Sequence, residues 1–210
     1  MLSIKELARR ASMEDHSDGL ARVERELVYF AKFDLGQLKE IGRDPTYQEQ
    51  YEIMNDRGTI RVRCIDHKEY ILCSKTWTPG VKGKKEVEQD TTVAMFENFR
   101  AMAPSGLCKT RYYIAIEGTE GTWPKTDDYE PPLNGALCWE VDVFHPNLDT
   151  SESAEWCKID LEIPERFNEL NLPDVPSIFT DVFKTQPMDR TPEEKAKIDD
   201  IMKSVRVNNY

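Results

Sequence analysis

Along much of this chain apolar and charged residues alternate with a period of two. Ile60 and Val62 fall on one parity, Arg61 and Arg63 on the other. Trp139, Val141 and Val143 oppose Glu140 and Asp142, while Cys157, Ile159, Leu161 and Ile163 oppose Lys158, Asp160 and Glu162. The same rule places Cys73, Lys75 and Trp77 together, pairs Glu86 with Glu88, and sets Lys109 and Arg111 against Thr110 and Tyr112. Successive side chains of a strand leave opposite faces. These six segments therefore predict antiparallel strands, each with an apolar face and a charged one.

Strands are predicted over Val23–Phe33, Tyr47–Met54, Thr59–Ile65, Glu69–Trp77, Lys85–Gln89, Lys109–Glu117, Ala136–Phe144 and Glu155–Ile163. Arg57-Gly58 marks a hairpin turn, with Gly58 expected at positive φ. Helices are predicted over Ile4–Met13, Leu35–Ile41 and Thr91–Ala103, the last from the spacing of Val93, Met95, Phe96, Phe99 and Met102. Thr191 as N-cap, Pro192 at the first position and Glu193 and Glu194 in the first turn open a terminal helix, Pro192–Val205. The chain divides into a helix and linker (1–22), a main domain (23–163) and a C-terminal extension (164–210), with 164–190 read as a connector. The class is α+β. Helices with apolar stripes need a sheet face to cover, which leaves the charged face as the inside of a curved sheet or barrel.

Composition narrows the setting. With 210 residues, 39% of them hydrophobic, and 8 Phe, 8 Tyr and 4 Trp, the chain can bury one core and is not of a disordered type. It has no apolar run of the roughly 18 residues that a membrane span needs and no signal-type h-region, so a cytoplasmic protein is expected. Five cysteines without CxxC spacing point to neither a disulfide framework nor zinc. The net charge of -11 argues against general nucleic-acid binding, yet leaves room for a local basic pocket.

Any antiparallel sheet with one wet face alternates apolar and charged residues. Here, however, the charges come in same-sign pairs: Arg61/Arg63, Glu86/Glu88, Lys109/Arg111 and Asp160/Glu162. Enclosing a lone ion costs several kcal/mol. Such an interior must stay wet, interleave its signs, or be filled by metal and anion. Basic rows suit phosphate oxygens, and carboxylate rows suit Mg²⁺ or Mn²⁺. Together they define a metal–polyphosphate class of ligand.

These segments, taken in order, resemble the CYTH superfamily, the triphosphate tunnel metalloenzymes. The likeness spans about residues 23–163. It runs through Lys32-Phe33, Ile60-Arg61-Val62-Arg63, Leu72-Cys73-Ser74-Lys75, Glu86-Val87-Glu88, Lys109-Thr110-Arg111-Tyr112, Glu140-Val141-Asp142 and Asp160-Leu161-Glu162. The resemblance implies an eight-stranded antiparallel tunnel and metal-dependent hydrolysis of an inorganic, nucleoside or thiamine triphosphate. It implies phosphate contacts from Lys32, Arg61, Arg63, Lys75, Lys109, Arg111 and Lys158, with Mg²⁺ or Mn²⁺ on Glu26, Glu86, Glu88, Asp142, Asp160 and Glu162. Of these, Glu86, Glu88 and Lys75 would be closest to the chemistry.

The first strand departs from the family's Glu-x-Glu-x-Lys. Aligned on Lys32, it puts Val28 and Phe30 at the glutamate positions; aligned on Glu24 and Glu26, it leaves Val28 at the lysine position. Two further functions therefore stay open: a module that binds a nucleotide, polyphosphate or protein without turnover, and cyclase chemistry. The terminal helix has two readings, as a cap on this domain or as a docking surface for a partner protein or second copy. His16, His67 and His145 lie in scattered polar contexts, and VKGKKE lacks the GK[ST] ending of a Walker A loop. Trp77, Tyr112, Tyr113, Trp123 and Trp139 read as core or rim aromatics.

Overall fold

In a computed structural model of the chain, residues 25–77, 84–122, 132–163, 172, 174–185 and 190–208 are described. The expected helix Ile4–Met13, most of the Lys-rich loop and Trp123 lie outside them. The strands are β1 (Arg25–Phe33), β2 (Arg43–Asn55), β3 (Gly58–Ile65), β4 (Glu69–Trp77), β5 (Lys84–Asp90), β6 (Ser105–Ala115), β7 (Cys138–His145), β8 (Trp156–Ile163), β9 (Phe179–Lys184) and β10 (Val207–Asn208). The helices are α1 (Leu35–Ile41), α2 (Val93–Met102) and α3 (Pro192–Val205).

The strands form one antiparallel sheet in the order β5-β4-β3-β2-β6-β7-β8-β1-β9, with β10 added to β6. Two expectations are corrected. The ladder is open among the described residues, ending at β5 and β9, so an eight-stranded closed barrel is not formed. The segment 164–190, read as a connector, contains β9, which occupies the outer edge of β1. The sheet is nonetheless strongly curved, because residues from eight strands, β1 to β8, line a single cavity.

Two helices cover the convex face. Asp34 caps α1 by accepting from the Gln37 N–H at 2.8 Å, and Leu38, fully buried, joins the cluster of Leu137, Trp139, Val141, Ile159 and Leu161. Thr92 caps α2, and its residues Phe96 and Phe99 pack on Tyr51, Val62 and Cys64. The third helix behaves differently. A complete capping box between Thr191 and Glu194 starts α3. Its stripe of Ile198, Ile201 and Val205 lies against Phe30, Leu107 and Phe144, which have the parity of the charged face. Thus α3 caps one end of the concave side. All five cysteines are free thiols, four of them buried and Cys138 half-buried, in keeping with small hydrophobes.

Gly58 is not needed for a left-handed turn, because its φ is not positive. Instead Asn55 Oδ1 closes the turn by accepting from the N–H groups of Arg57 and Gly58, and Gly58 opens β3 in a buried position. A Cβ there would stand 2.2 Å from the Lys75 carbonyl oxygen. Close approach of β4, not backbone conformation, requires the glycine. Gly58→Ala is expected to cost roughly 1–3 kcal/mol, as overpacking does. Urea unfolding measures this, and an unchanged midpoint would refute the close-approach account.

Candidate functional site

The charged parity of β1 to β8 encloses a cavity of about 390 Å³. Of the residues proposed from sequence, Glu26, Arg61, Arg63, Lys75, Glu88, Lys109, Arg111, Asp142, Lys158, Asp160 and Glu162 line it. Glu86 stands in register with Lys75, and its side chain lies outside the described residues. Lys32 is elsewhere. Its ammonium pairs with Glu155 at 2.7 Å and Asp181 at 3.3 Å, over the Trp156 ring. Parity alone put Lys32 on the concave face; Phe30 under α3 and the Trp156–Phe183 pair separate it from the cavity.

The ladders set the ionic order. One row runs Arg111, Asp142, Lys158 and ends at Phe30; the next runs Tyr113, Glu140, Asp160 and ends at Val28. Arg111 is the hub. Its Nε donates to Asp142 Oδ1 at 2.7 Å, its Nη2 to Asp142 Oδ2 at 2.9 Å, and its Nη1 to Glu140. Burial alone would lower the Arg111 pKa, but Asp142 and Glu140 overcome it and hold the group well above its usual range. Burial would likewise raise Asp142, yet Arg111 and Lys109 keep its carboxyl far below the ordinary value. Lys109 also donates to Asp142.

The rest of the site is less well compensated. Burial, with the Arg111 charge, brings Lys109 down to about 7 despite Asp142. Burial, then the neighbouring Arg61, lowers Arg63 to about 10. No carboxylate among the described residues forms an ion pair with Arg63, and its buried Nε has no hydrogen-bond partner there. Arg61 faces Glu88 at 3.6 Å. On the other wall the Lys158 ammonium lies 2.5 Å from Asp160 Oδ2 and 3.9 Å from Glu26. Burial raises Asp160 to about 6, and its Oδ1 is buried without a partner. Among the described residues no three carboxylates, imidazoles or thiolates converge as a ready metal site.

Several lining residues gave no warning in the sequence. Gln48, Gln50 and Glu52 share the concave parity of β2, and Arg190 and Arg206 flank α3 at the rim. The period-two signal was present on β2, but two of its three inward residues are neutral. The arginines reach the cavity only through the docking of α3. His145, expected in a polar context, is buried, between the Thr110 hydroxyl and the Glu152 carbonyl at 2.7 Å each. Tyr112 and Trp139 are core, while Tyr113 reaches the cavity wall.

No protein-family model matches the chain, and no curated protein matches it. Its structure is similar to the inorganic triphosphatase NE1496, with 19% identity, 85% of this chain and 96% of that chain covered, and a TM-score of 0.44. A conserved hypothetical protein from Pyrococcus furiosus is similar over 86% of this chain and 94% of its own, at 13% identity and a TM-score of 0.41. At these scores the likeness carries no functional argument; the geometry must do so.

Two predictions follow from the ionisation pattern. Rising pH removes protons from Asp160 and then Lys109, so the cavity becomes less positive between about pH 6 and 8. Affinity for sulfate, whose charge is constant there, is expected to fall across that interval in titration calorimetry; a flat or rising profile would contradict the assignment. Because the folded pKa of Lys109 lies below its unfolded value, the unfolded state binds more protons above pH 7. Lys109 thus makes stability increase with pH from about 7 towards 10. Lys109→Met leaves Asp142 on Arg111, so it is expected to remove that slope and stabilise the fold at pH 7 while weakening anion binding. Urea titrations of both proteins at pH 7 and 9 test the sign, and a lower stability of the variant at pH 7 would reverse it.

Proposed function

We propose that the chain binds a triphosphate-bearing small molecule in this cavity as its divalent-metal complex and hydrolyses a phosphoanhydride bond. One observation carries the reading: Arg63 is a half-buried guanidinium crowded by Arg61 and Arg111, its enclosed Nε without a hydrogen-bond partner and with no ion-paired carboxylate among the described residues. A charge held that way calls for an anion from outside. Arg61, Lys75, Lys109, Arg111 and Lys158 extend the positive wall, as a chain of phosphates requires.

The acidic side fits a hard cation that brings its own oxygen ligands. Asp160 and Glu26 share Lys158, Glu162 stands opposite Glu26 in the ladder, and Asp160 Oδ1 has no donor. Two carboxylates plus substrate oxygens and waters suffice for Mg²⁺ or Mn²⁺. Bound there, the ion would neutralise charge developing on the phosphate oxygens. Glu86 and Glu88 stand on β5, Glu88 being held by Arg61. Asp142, clasped by Lys109 and Arg111, is the acid least available to metal and serves instead to position those cations.

A second reading, binding without turnover, has its own support. Val28 faces Asp160 and Phe30 faces Lys158 across the β1–β8 ladder, and both line the cavity where further acids would strengthen a metal site.

Phosphate release from tripolyphosphate, the nucleoside triphosphates and thiamine triphosphate, each with Mg²⁺ and with Mn²⁺, tests the proposal. Turnover is expected, with Arg63→Met lowering kcat/KM by about 10- to 100-fold, the scale of one lost charge-assisted contact. Saturable binding without release would select the second reading. Absence of both binding and release would reject the cavity as a triphosphate site.

A further inference from the structure

Part of the cavity wall is uncharged. On β2, Gln48 lies between Ile65 of β3 and Lys109 of β6, and Gln50 lies between Arg63 and Leu107. Gln48 is only 1% exposed. The Oε1 atoms of both amides are buried and accept no hydrogen bond among the described residues. Buried acceptors are rarely left unmet, because the lost hydration is not recovered. Beside these amides stands an apolar wall: Leu107 and Phe144 from the sheet, covered by Ile198 and Met202 of α3.

Phosphate oxygens match the guanidinium of Arg63 and the ammonium of Lys109, but they only accept and cannot answer an amide oxygen. Whichever way it turns, a primary amide presents a donor and an acceptor side by side. Its complement is a hydroxyl, amino or ring-nitrogen group. The wall next to it favours a flat or aliphatic body that leaves water. Neither property belongs to an inorganic polyphosphate.

We propose that Gln48 and Gln50, backed by the Leu107, Phe144, Ile198 and Met202 wall, form a half-site for the organic part of the ligand. The preferred substrate is then a triphosphate ester of a hydroxyl- or amino-bearing ring system, with the phosphates towards Arg63 and Lys109. This rests on the triphosphate reading above and adds the ligand's other half. The glutamines act in specificity and touch no reacting atom.

Titration calorimetry separates the two claims. Tripolyphosphate, the four ribonucleoside triphosphates and thiamine triphosphate are compared with Ca²⁺ in place of Mg²⁺ to suppress turnover. At least one organic ligand is expected to bind about tenfold more tightly than tripolyphosphate, the scale of one or two satisfied hydrogen bonds. Gln48→Leu or Gln50→Leu is expected to erase about that factor and to leave tripolyphosphate within about twofold. The melting temperature of the ligand-free variants should hold or rise, because an unmet buried acceptor has been removed; a purely structural role for the amides would lower it. Tripolyphosphate binding as tightly as the best organic ligand overturns the half-site, as does an equal loss for both ligands in the variants, and either outcome leaves the triphosphate reading intact. If neither kind of ligand binds, both claims fail together.

Discussion

Charges enclosed by a curved sheet must be offset from within, since bulk water no longer does so. That constraint organises the whole concave side. Across β6, β7 and β8 the signs interleave, with Arg111 gripping Asp142 and Glu140, and Lys158 held between Asp160 and Glu26. Compensation is nearly complete there and incomplete on β3, where Arg63 is crowded by Arg61 and Arg111. The imbalance concerns position more than number. Eight basic and seven acidic side chains line the cavity of a chain whose net charge is -11. A nearly neutral set, partly sorted by sign, leaves one wall ready for anions and one for cations.

Much of this was legible in the alternation of residues. Parity along β3, β6, β7 and β8 is set by backbone geometry alone, so Arg61, Arg63, Lys109, Arg111, Asp142, Lys158 and Asp160 could be assigned to one face without knowing the fold. Local chemistry also marked the start of α3, through Pro192 with the Thr191–Glu194 pair. What escaped depended on neighbours distant in sequence. β9 has little apolar alternation of its own and is defined by the edge of β1. Lys32 follows the parity rule but stands beyond a helix that crosses the face. Gln48 and Gln50 carry no charge, so nothing distinguished them from ordinary solvated strand positions.

The placement of α3 links these elements. Its stripe could have lain on the convex side with α1 and α2, or on another protein. Instead Ile198, Ile201 and Val205 meet Phe30, Leu107 and Phe144, the apolar residues that interrupt the charged parity on β1, β6 and β7. The apolar residue Phe30 on the first strand thus lines the cavity and supplies part of the seat for the helix. Lys197, above the Trp156 and Phe183 rings, reinforces that seat from outside. Composition of the cavity and position of the helix are two results of one apolar pattern.

The position of β1 also bears on how the chain assembles. Among the described residues it pairs only with β8 and β9, and the Cys157 thiol that meets the Ala31 carbonyl is 126 residues away. During synthesis the first strand must wait, with Leu27 and Ala31 unsheltered, until β8 and β9 have emerged. Contacts this remote slow folding and lengthen the interval in which sticky strands can meet the wrong partner. Maturation of the sheet therefore depends on β8 and β9, made long after the strand they shelter.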